Sequence, residues 1–365
     1  MPQRAPAVST PLLDGLLTGG ISILGMGALL AYFAFISLSG AGIGGGERAL
    51  GFVQGDWIAL TILINSTHFM VSYRILYVSK AEIFANRWST LIVPCLLMGL
   101  LLFGAISPEQ ATIYGWLVLV SSLYLAWHYT GQAWGMVASF GHLHGVRFTN
   151  TERLAIRFGM RALLALHLLY ALSGRFPPAG WIAPATFIKA YGFAFQAVCL
   201  AVALGFGAGA WAFLQAHRRG PKMPIRAVIP WIALFLWYPF WYFIPGGFLW
   251  VQLSHALQYL SFPLRVEVNR YAASAEPGTT RSTRQKQIRL LVVYLALVVV
   301  GAILLSGPPL AAQAFGNGWY STPNARAIFI AFTNCIAIHH YFIDGAIWKI
   351  SNPKVRQELF AHASG

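Results

Sequence analysis

The sequence predicts an all-α, polytopic helical membrane protein of about ten transmembrane helices. Three observations carry that reading. The 365-residue chain is 57% apolar and only 10% charged, where a soluble domain carries about a quarter charged residues. Apolar runs of roughly twenty residues follow one another, each long enough to cross about 30 Å of hydrocarbon. The short alternating segments that mark a transmembrane barrel are absent from the sequence.

The spans are read at about 15–38, 55–78, 88–107, 111–137, 155–173, 190–214, 227–244, 247–268, 289–307 and 326–350. The first apolar run is too long for the core of a signal peptide and lacks a clean cleavage pattern, so it reads as a span. Charge orients the set. With the N-terminus inside, the inner segments collect Lys80, Arg147, Arg153, Arg218, Arg219, Arg265, Arg270 and most of the other bases, and the outer segments hold only Arg48, Arg175, Lys189 and Arg326. The positive-inside rule then puts both termini in the cytoplasm. Residues 1–365 read as one integral membrane domain, a bundle over 15–350 with a cytoplasmic tail at 351–365, in a bacterial inner membrane.

The loops fit this layout. The outer ones are Gly- and Pro-rich, at 40–47, 176–181, 245–247 and 307–309, which are turn and breaker signals. Pro245-Gly246-Gly247 is expected to close a tight hairpin between spans seven and eight. The inner loop 271–287 is polar and basic. Trp57, Trp88, Trp181 and Trp348 sit near span ends, as an interfacial aromatic belt requires. Net charge is +15. In a soluble protein that would suggest nucleic acid; here the bases lie between spans and meet anionic lipid instead, so no nucleic-acid partner is expected. Cys95, Cys199 and Cys335 lie inside apolar spans with no zinc-site spacing and read as small core residues.

Function is signalled by histidine. His68, His128, His255 and His339 sit in four separate spans that all run from outside to inside. They lie about thirteen, seventeen, eight and thirteen residues in, which at 1.5 Å per residue places them near mid-bilayer within a turn or two. Ionisable groups at that depth are costly and mark functional sites. Each has polar company nearby, and spacings of three and four place side chains on one helical face. Asn65, Ser72 and Tyr73 flank His68, Gln132 follows His128 by four, Gln258 and Tyr259 follow His255 by three and four, and Asp344 follows His339 by five and His340 by four. Metal-bound imidazoles donate their second N–H to such carboxylates and amides. A shared metal is therefore expected on His68, His128, His255 and His339, with Asp344 and Gln132 orienting the ligands and Tyr73, Tyr259 and His340 lining the pocket. His142 and His144 are read as solvated, His167 stands alone in span five, and His362 lies in the tail.

These motifs, taken in order, resemble the Brp/Blh family of membrane-bound beta-carotene-cleaving dioxygenases. His68 corresponds to that family's first motif, His128 in His128-Tyr-Thr-Gly to its second, His255 to the first member of its His-x-x-x-His pair, and His339, five residues before Asp344, to its last. Ser72 stands where the family has its first acid, Gln132 near its second, and Tyr259 replaces the second histidine of the pair. The resemblance implies a polytopic fold with one histidine-held iron and oxidative cleavage of a carotenoid.

The expectation from sequence is a metal-dependent oxidoreductase acting with O₂ on a lipid-like, isoprenoid or carotenoid substrate, with non-haem iron as cofactor. Imidazole suits iron, zinc and copper alike; a hydrophobic site favours oxygen chemistry, and zinc hydrolysis would need a base for which only Asp344 and Glu267 are near. Two alternatives stay open: an ion-coupled transporter using the histidines as a proton relay, and a haem- or pigment-binding membrane protein, although no two helices each carry a widely spaced histidine pair.

Overall fold

The computed structural model describes residues 7–39, 44–172, 184–273, 282–315, 320, 322–348 and 353–360. Their regular structure is helical throughout. Pro11–Gly15 and a π-helical turn, Leu16–Gly20, lead into α1 (Ile21–Ser39), followed by α2 (Gly44–Gln54). Ile58–Leu60 and a second π turn, Thr61–Ser66, lead into α3 (Thr67–Leu76), and α4 is Lys80–Ala85. A third π turn, Trp88–Ile92, opens α5 (Val93–Ile106). Then come α6 (Gln110–Leu143), α7 (Asn150–Leu172), α8 (Pro184–Arg219), α9 (Ile225–Phe243), α10 (Gly247–Ala273), α11 (Thr283–Phe315), α12 (Pro323–Ile347) and α13 (Pro353–Phe360).

Every span read from sequence falls on a helix. Six stretches among the described residues are long and apolar enough to cross a membrane: Pro11–Leu38, Trp88–Ile106, Asn150–Ala171, Ala185–Arg219, Arg284–Phe315 and Pro323–Ile347. The chain is a multi-pass helical membrane protein. The other four spans read from sequence, on helices at 58–76, 110–143, 225–243 and 247–273, are not among these six. Three of them carry His68, His128 and His255, and the fourth is rich in Trp and Tyr.

Some expectations change. The Gly307-Pro308-Pro309 stretch was expected to break into a loop, yet α11 continues through both prolines to Phe315; their fixed φ is compatible with a helix, although each loses an amide and its ring crowds the carbonyl four residues back. α2 begins at Gly44, inside the expected outer loop. Cys95 and Cys199 are exposed on their helices and only Cys335 is buried. The 176–181 loop, residues 274–281 of the 271–287 loop, Lys349 and His362 lie outside the described residues; the rest of 271–287 is largely helical, with α10 running to Ala273 and α11 starting at Thr283.

The chain divides into two compact units. One comprises 8–10, 55–121 and 252–365. Here α12 packs on α3 and α5, and α11 packs on α3. Two apolar clusters hold it, one of Leu101, Tyr114, Leu117, Ala331, Cys335 and Ile338, the other of Ile75, Leu76, Ile343 and Ile347. Ion pairs tie helix ends: Arg74 to Glu267 at 2.7 Å, Arg270 to Glu358 at 2.8 Å, and Lys354 to Glu82. The tail helix α13 is thus docked through two of its charges. Ser79 caps α4 at the Glu82 amide, and Thr322 caps α12 at the Ala325 amide.

The other unit comprises 1–7, 11–54 and 122–251. Its core centres on Trp231, Trp237 and Phe240 of α9, with Ile156 and Leu163 of α7 and Phe213 of α8. α7 and α8 touch backbone to backbone: a Cβ on Gly205 would come within 2.4 Å of Gly159 Cα, the close approach that small residues permit. The expected hairpin at Pro245-Gly246-Gly247 is present. Gly247 N–H donates to Ile244 O at 2.9 Å, and Gly246 adopts φ +80°, which glycine takes without steric cost. A capping box starts α7, with Thr149 N–H donating to Glu152 Oε2 at 2.8 Å and Glu152 N–H to Thr149 Oγ1 at 3.2 Å.

Asp14 and Arg226 form a buried pair at 3.3 Å in this unit, and His144 completes it. His144 was read as solvated; it is half-buried. Its Nδ1–H donates to Phe140 O at 2.9 Å, so its Nε2 must accept from Arg226 Nη2 at 3.0 Å. Burial, and then the Arg226 charge, hold the His144 pKa below its ordinary 6.5. The unfolded chain therefore binds the proton more readily than the folded one. The stability contributed by neutral His144 is full above pH 6.5 and is lost as pH falls through the lower folded value. Unfolding in detergent across pH 7.5 to 5 should show this loss, and His144→Gln, which keeps an acceptor but cannot titrate, should flatten that part of the profile. An unchanged profile in the variant would remove His144 from the account.

Candidate metal centre

The centre begins with a carbonyl. The π turn Thr61–Ser66 just before α3 interrupts the regular ladder of backbone hydrogen bonds, and such turns recur at functional sites. The Asn65 carbonyl accepts from His68 Nδ1 at 2.8 Å. A carbonyl can only accept, so Nδ1 carries the ring proton and Nε2 carries the lone pair. His68 is 1% exposed. Its Nε2 is buried and has no hydrogen-bond partner. An acceptor buried without a donor costs about 1–3 kcal/mol, and this one is held in that state by the backbone.

Other imidazoles surround it. The His340 ring lies 4.6 Å from that of His68, at 86°, and the His255 ring 5.1 Å away, at 90°. The rings meet edge to face rather than stacked, which suits coordination because nitrogen lone pairs lie in the ring plane. His68, His255 and His340, all buried, each offer one ring nitrogen, and these three atoms lie within 4.8 Å of one another. His128, the fourth ligand expected from sequence, is buried in the other compact unit. A metal about 2.0–2.1 Å from each nitrogen allows a separation of about 4 Å at most, so the group needs only a small contraction. The donor set is chemically apt: neutral imidazoles suit iron, copper, zinc and nickel.

The structure puts His340, not His339, beside His68. Consecutive residues on a helix are separated by about 100°, so only one of the two can face the group. His339 faces away. Its Nε2–H donates to Ser89 O at 2.6 Å, and its Nδ1 accepts from Tyr73 Oη at 2.9 Å. Both nitrogens are committed. Tyr73, expected to line the pocket, is the partner that holds His339. The Ser89 carbonyl comes from the third π turn, Trp88–Ile92.

Asp344 stands behind His340. Its Oδ2 lies 3.5 Å from His340 Nε2, one turn away. Its Oδ1 accepts from Ser72 Oγ at 3.0 Å and from Tyr259 Oη at 2.9 Å. Tyr259 Oη in turn accepts from Trp348 Nε1–H at 2.9 Å, and its ring lies 5.3 Å from that of His68. A buried carboxylate needs such donors to remain tolerable. Asp344, Ser72, Tyr259 and Trp348 therefore form one network, with Asp344 at its hub. Gln132 is half-buried one turn beyond His128, and Gln258 is fully buried just after His255. Glu267 is engaged by Arg74 and, at 3.7 Å, by Arg289, so it serves the helix ends.

Three contributors escaped the sequence reading. The Asn65 carbonyl has no side-chain signal. Ser72 registered as polar company to His68 and as a missing acid, but not as a donor to Asp344. Trp348 was absorbed into the interfacial belt, although its place four residues beyond Asp344 puts it on the same helical face. The fixed ring state of His68 is directly measurable. ¹⁵N spectra of histidine-labelled, metal-free protein should show, for the resonance lost in His68→Gln, a protonated Nδ1 and an unprotonated Nε2. The opposite tautomer would show that the Asn65 carbonyl does not control the ring.

The chain was compared with family models, with curated proteins and with solved structures, and none matches it.

Proposed function

We propose that the protein is a membrane-embedded, histidine-ligated iron oxidoreductase that uses O₂ on a hydrophobic substrate of the isoprenoid, carotenoid or fatty-chain class. The observation that carries this reading is His68 Nε2: a buried nitrogen whose proton is excluded by the backbone, set among other imidazoles with no donor to satisfy it. A cation fills that role, and neutral imidazole nitrogens are its natural ligands.

In this reading His68, His128, His255 and His340 hold the metal. Bound there, iron supplies one-electron chemistry and a binding position for O₂. The chain supplies the rest. Asn65 O fixes the His68 ring through Nδ1. Asp344 faces His340 Nε2 and directs Nδ1 to the metal, the carboxylate–histidine arrangement that raises ligand basicity. Ser72, Tyr259 and Trp348 fix Asp344 in turn. The resemblance to carotene-cleaving dioxygenases supports the substrate class. The fuller topology belongs to the same proposal: ten spans, both termini cytoplasmic, in a bacterial inner membrane.

Protein purified in mild detergent should carry about one first-row metal ion per chain by elemental analysis, iron first. His68→Ala, His128→Ala, His255→Ala and His340→Ala should each strip it; His142→Ala should not, and His339→Gln should retain it despite its adjacency. Asp344→Asn should weaken metal binding or turnover by about 10–100-fold while the protein still folds. Metal-free protein that drives proton-coupled uptake in vesicles would instead establish the histidines as a relay.

Orientation is tested separately. Reporter fusions after Lys80 and Arg270 should read cytoplasmic, and fusions after Gly44 and Phe315 external. Reversal of the first pair would overturn the even count of spans.

A further inference from the structure

The unit built on α7, α8 and α9 contains a pocket of about 220 Å³. Leu163 and Leu166 of α7, Cys199 and Val202 of α8, and Tyr238 and Trp241 of α9 line it. Its origin is geometric. α7 and α8 are pinned together where Gly159 meets Gly205, and the lining residues lie on the next turns beyond that contact, after Gly159 on α7 and before Gly205 on α8. Leucine, valine and aromatic side chains replace glycine there and hold the helices apart. Below, Trp231 stacks on Phe206 at 4.9 Å and packs against Phe235 at 4.8 Å, which closes the floor. Above, Pro239 removes the amide that would return to the Phe235 carbonyl, and α9 ends four residues later.

The lining offers water almost nothing. Of the three tyrosines in the lining, Tyr170, Tyr238 and Tyr242, the buried one, Tyr238, is engaged with His167 Nδ1 at 3.2 Å. A buried water needs two to four polar partners, so this cavity excludes it. The surrounding surface is apolar as well: Leu200 is 61%, Leu204 60% and Phe243 66% exposed, and α7 and α8 are both among the stretches able to cross a membrane. The volume falls below the roughly 300–1,000 Å³ of pockets that enclose a whole drug-sized ligand. It matches part of a chain, and no charged side chain is among its lining residues.

We propose that this pocket is a binding site for the tail of a single hydrocarbon-chain molecule, a fatty acyl or isoprenoid chain, whose polar head stays outside. Tail and wall are complementary through dispersion and exclusion of water alone, and the aromatic wall contributes large rigid surfaces. The site requires no metal, and its test reads binding only.

Two photoactivatable probes distinguish the sources of the chain: palmitate with a terminal diazirine, and geranylgeraniol with a diazirine near its tail. Purified protein is irradiated with each probe, and adducts are mapped by peptide mass spectrometry. Adducts should concentrate on the peptides containing Cys199–Val202 and Tyr238–Trp241, saturate with probe, and disappear under excess untagged competitor. Leu166→Trp, which fills the pocket, should abolish the saturable labelling; Val202→Phe serves the same end if that variant fails to fold. Leu200→Trp, on the exposed face of the same helix, should leave it intact. Saturation by one probe alone identifies the chain chemistry. Labelling that never saturates, or that survives both pocket-filling variants, would reduce the pocket to ordinary contact with bilayer lipid and overturn the proposal.

Discussion

One hydrogen bond sets the terms for the histidine group. In hydrocarbon a backbone carbonyl is normally consumed by its own helix. The π turn before α3 makes the Asn65 carbonyl available to the His68 ring. That contact decides which nitrogen of His68 bears a proton, and through it which kind of partner the other can accept. The remaining imidazoles are arranged around a nitrogen already committed to being a lone-pair donor. Without the π turn, His68 would be a core histidine free to choose either tautomer.

The same economy governs the acid. Asp344 is one of few carboxylates in this chain, and 7% of it is exposed. It lies within ion-pair distance of one imidazole and receives hydroxyl donors from Ser72 and Tyr259. A buried carboxyl group so placed is tolerable only while each of its donors holds its geometry. The helices carrying Ser72, Tyr259 and Asp344 are thereby fixed against one another at the depth where the histidines sit.

Much of this was legible in the sequence. Long apolar runs located the helices, since hydrocarbon thickness demands them. Isolated histidines within those runs drew attention because burial there is costly. The choice between His339 and His340 was not legible: both neighbour the same acid, at five and four residues, and only packing shows which face of α12 turns inward. The four-residue spacing of His340 and Asp344 was the better guide, since it matches a helical turn. Neither the π turns nor the role of Trp348 leaves a compositional trace. His144 was misjudged because a Gly-His-Leu-His-Gly stretch looks like a loop, while in the structure α6 runs on to Leu143, the Phe140 carbonyl one turn earlier engages the ring, and the Arg226 guanidinium that completes the contact is distant in sequence.

His339 has a consequence beyond its own contacts. Two imidazoles side by side on one helix pose an ambiguity: rotate α12 by a single residue and the neighbour takes the other's place. The bonds from His339 to Ser89 O and Tyr73 Oη remove that ambiguity. They act as a keyway, admitting the helix in one rotational setting and assigning each ring its post. A histidine turned away from the buried imidazoles thus decides which neighbour joins them.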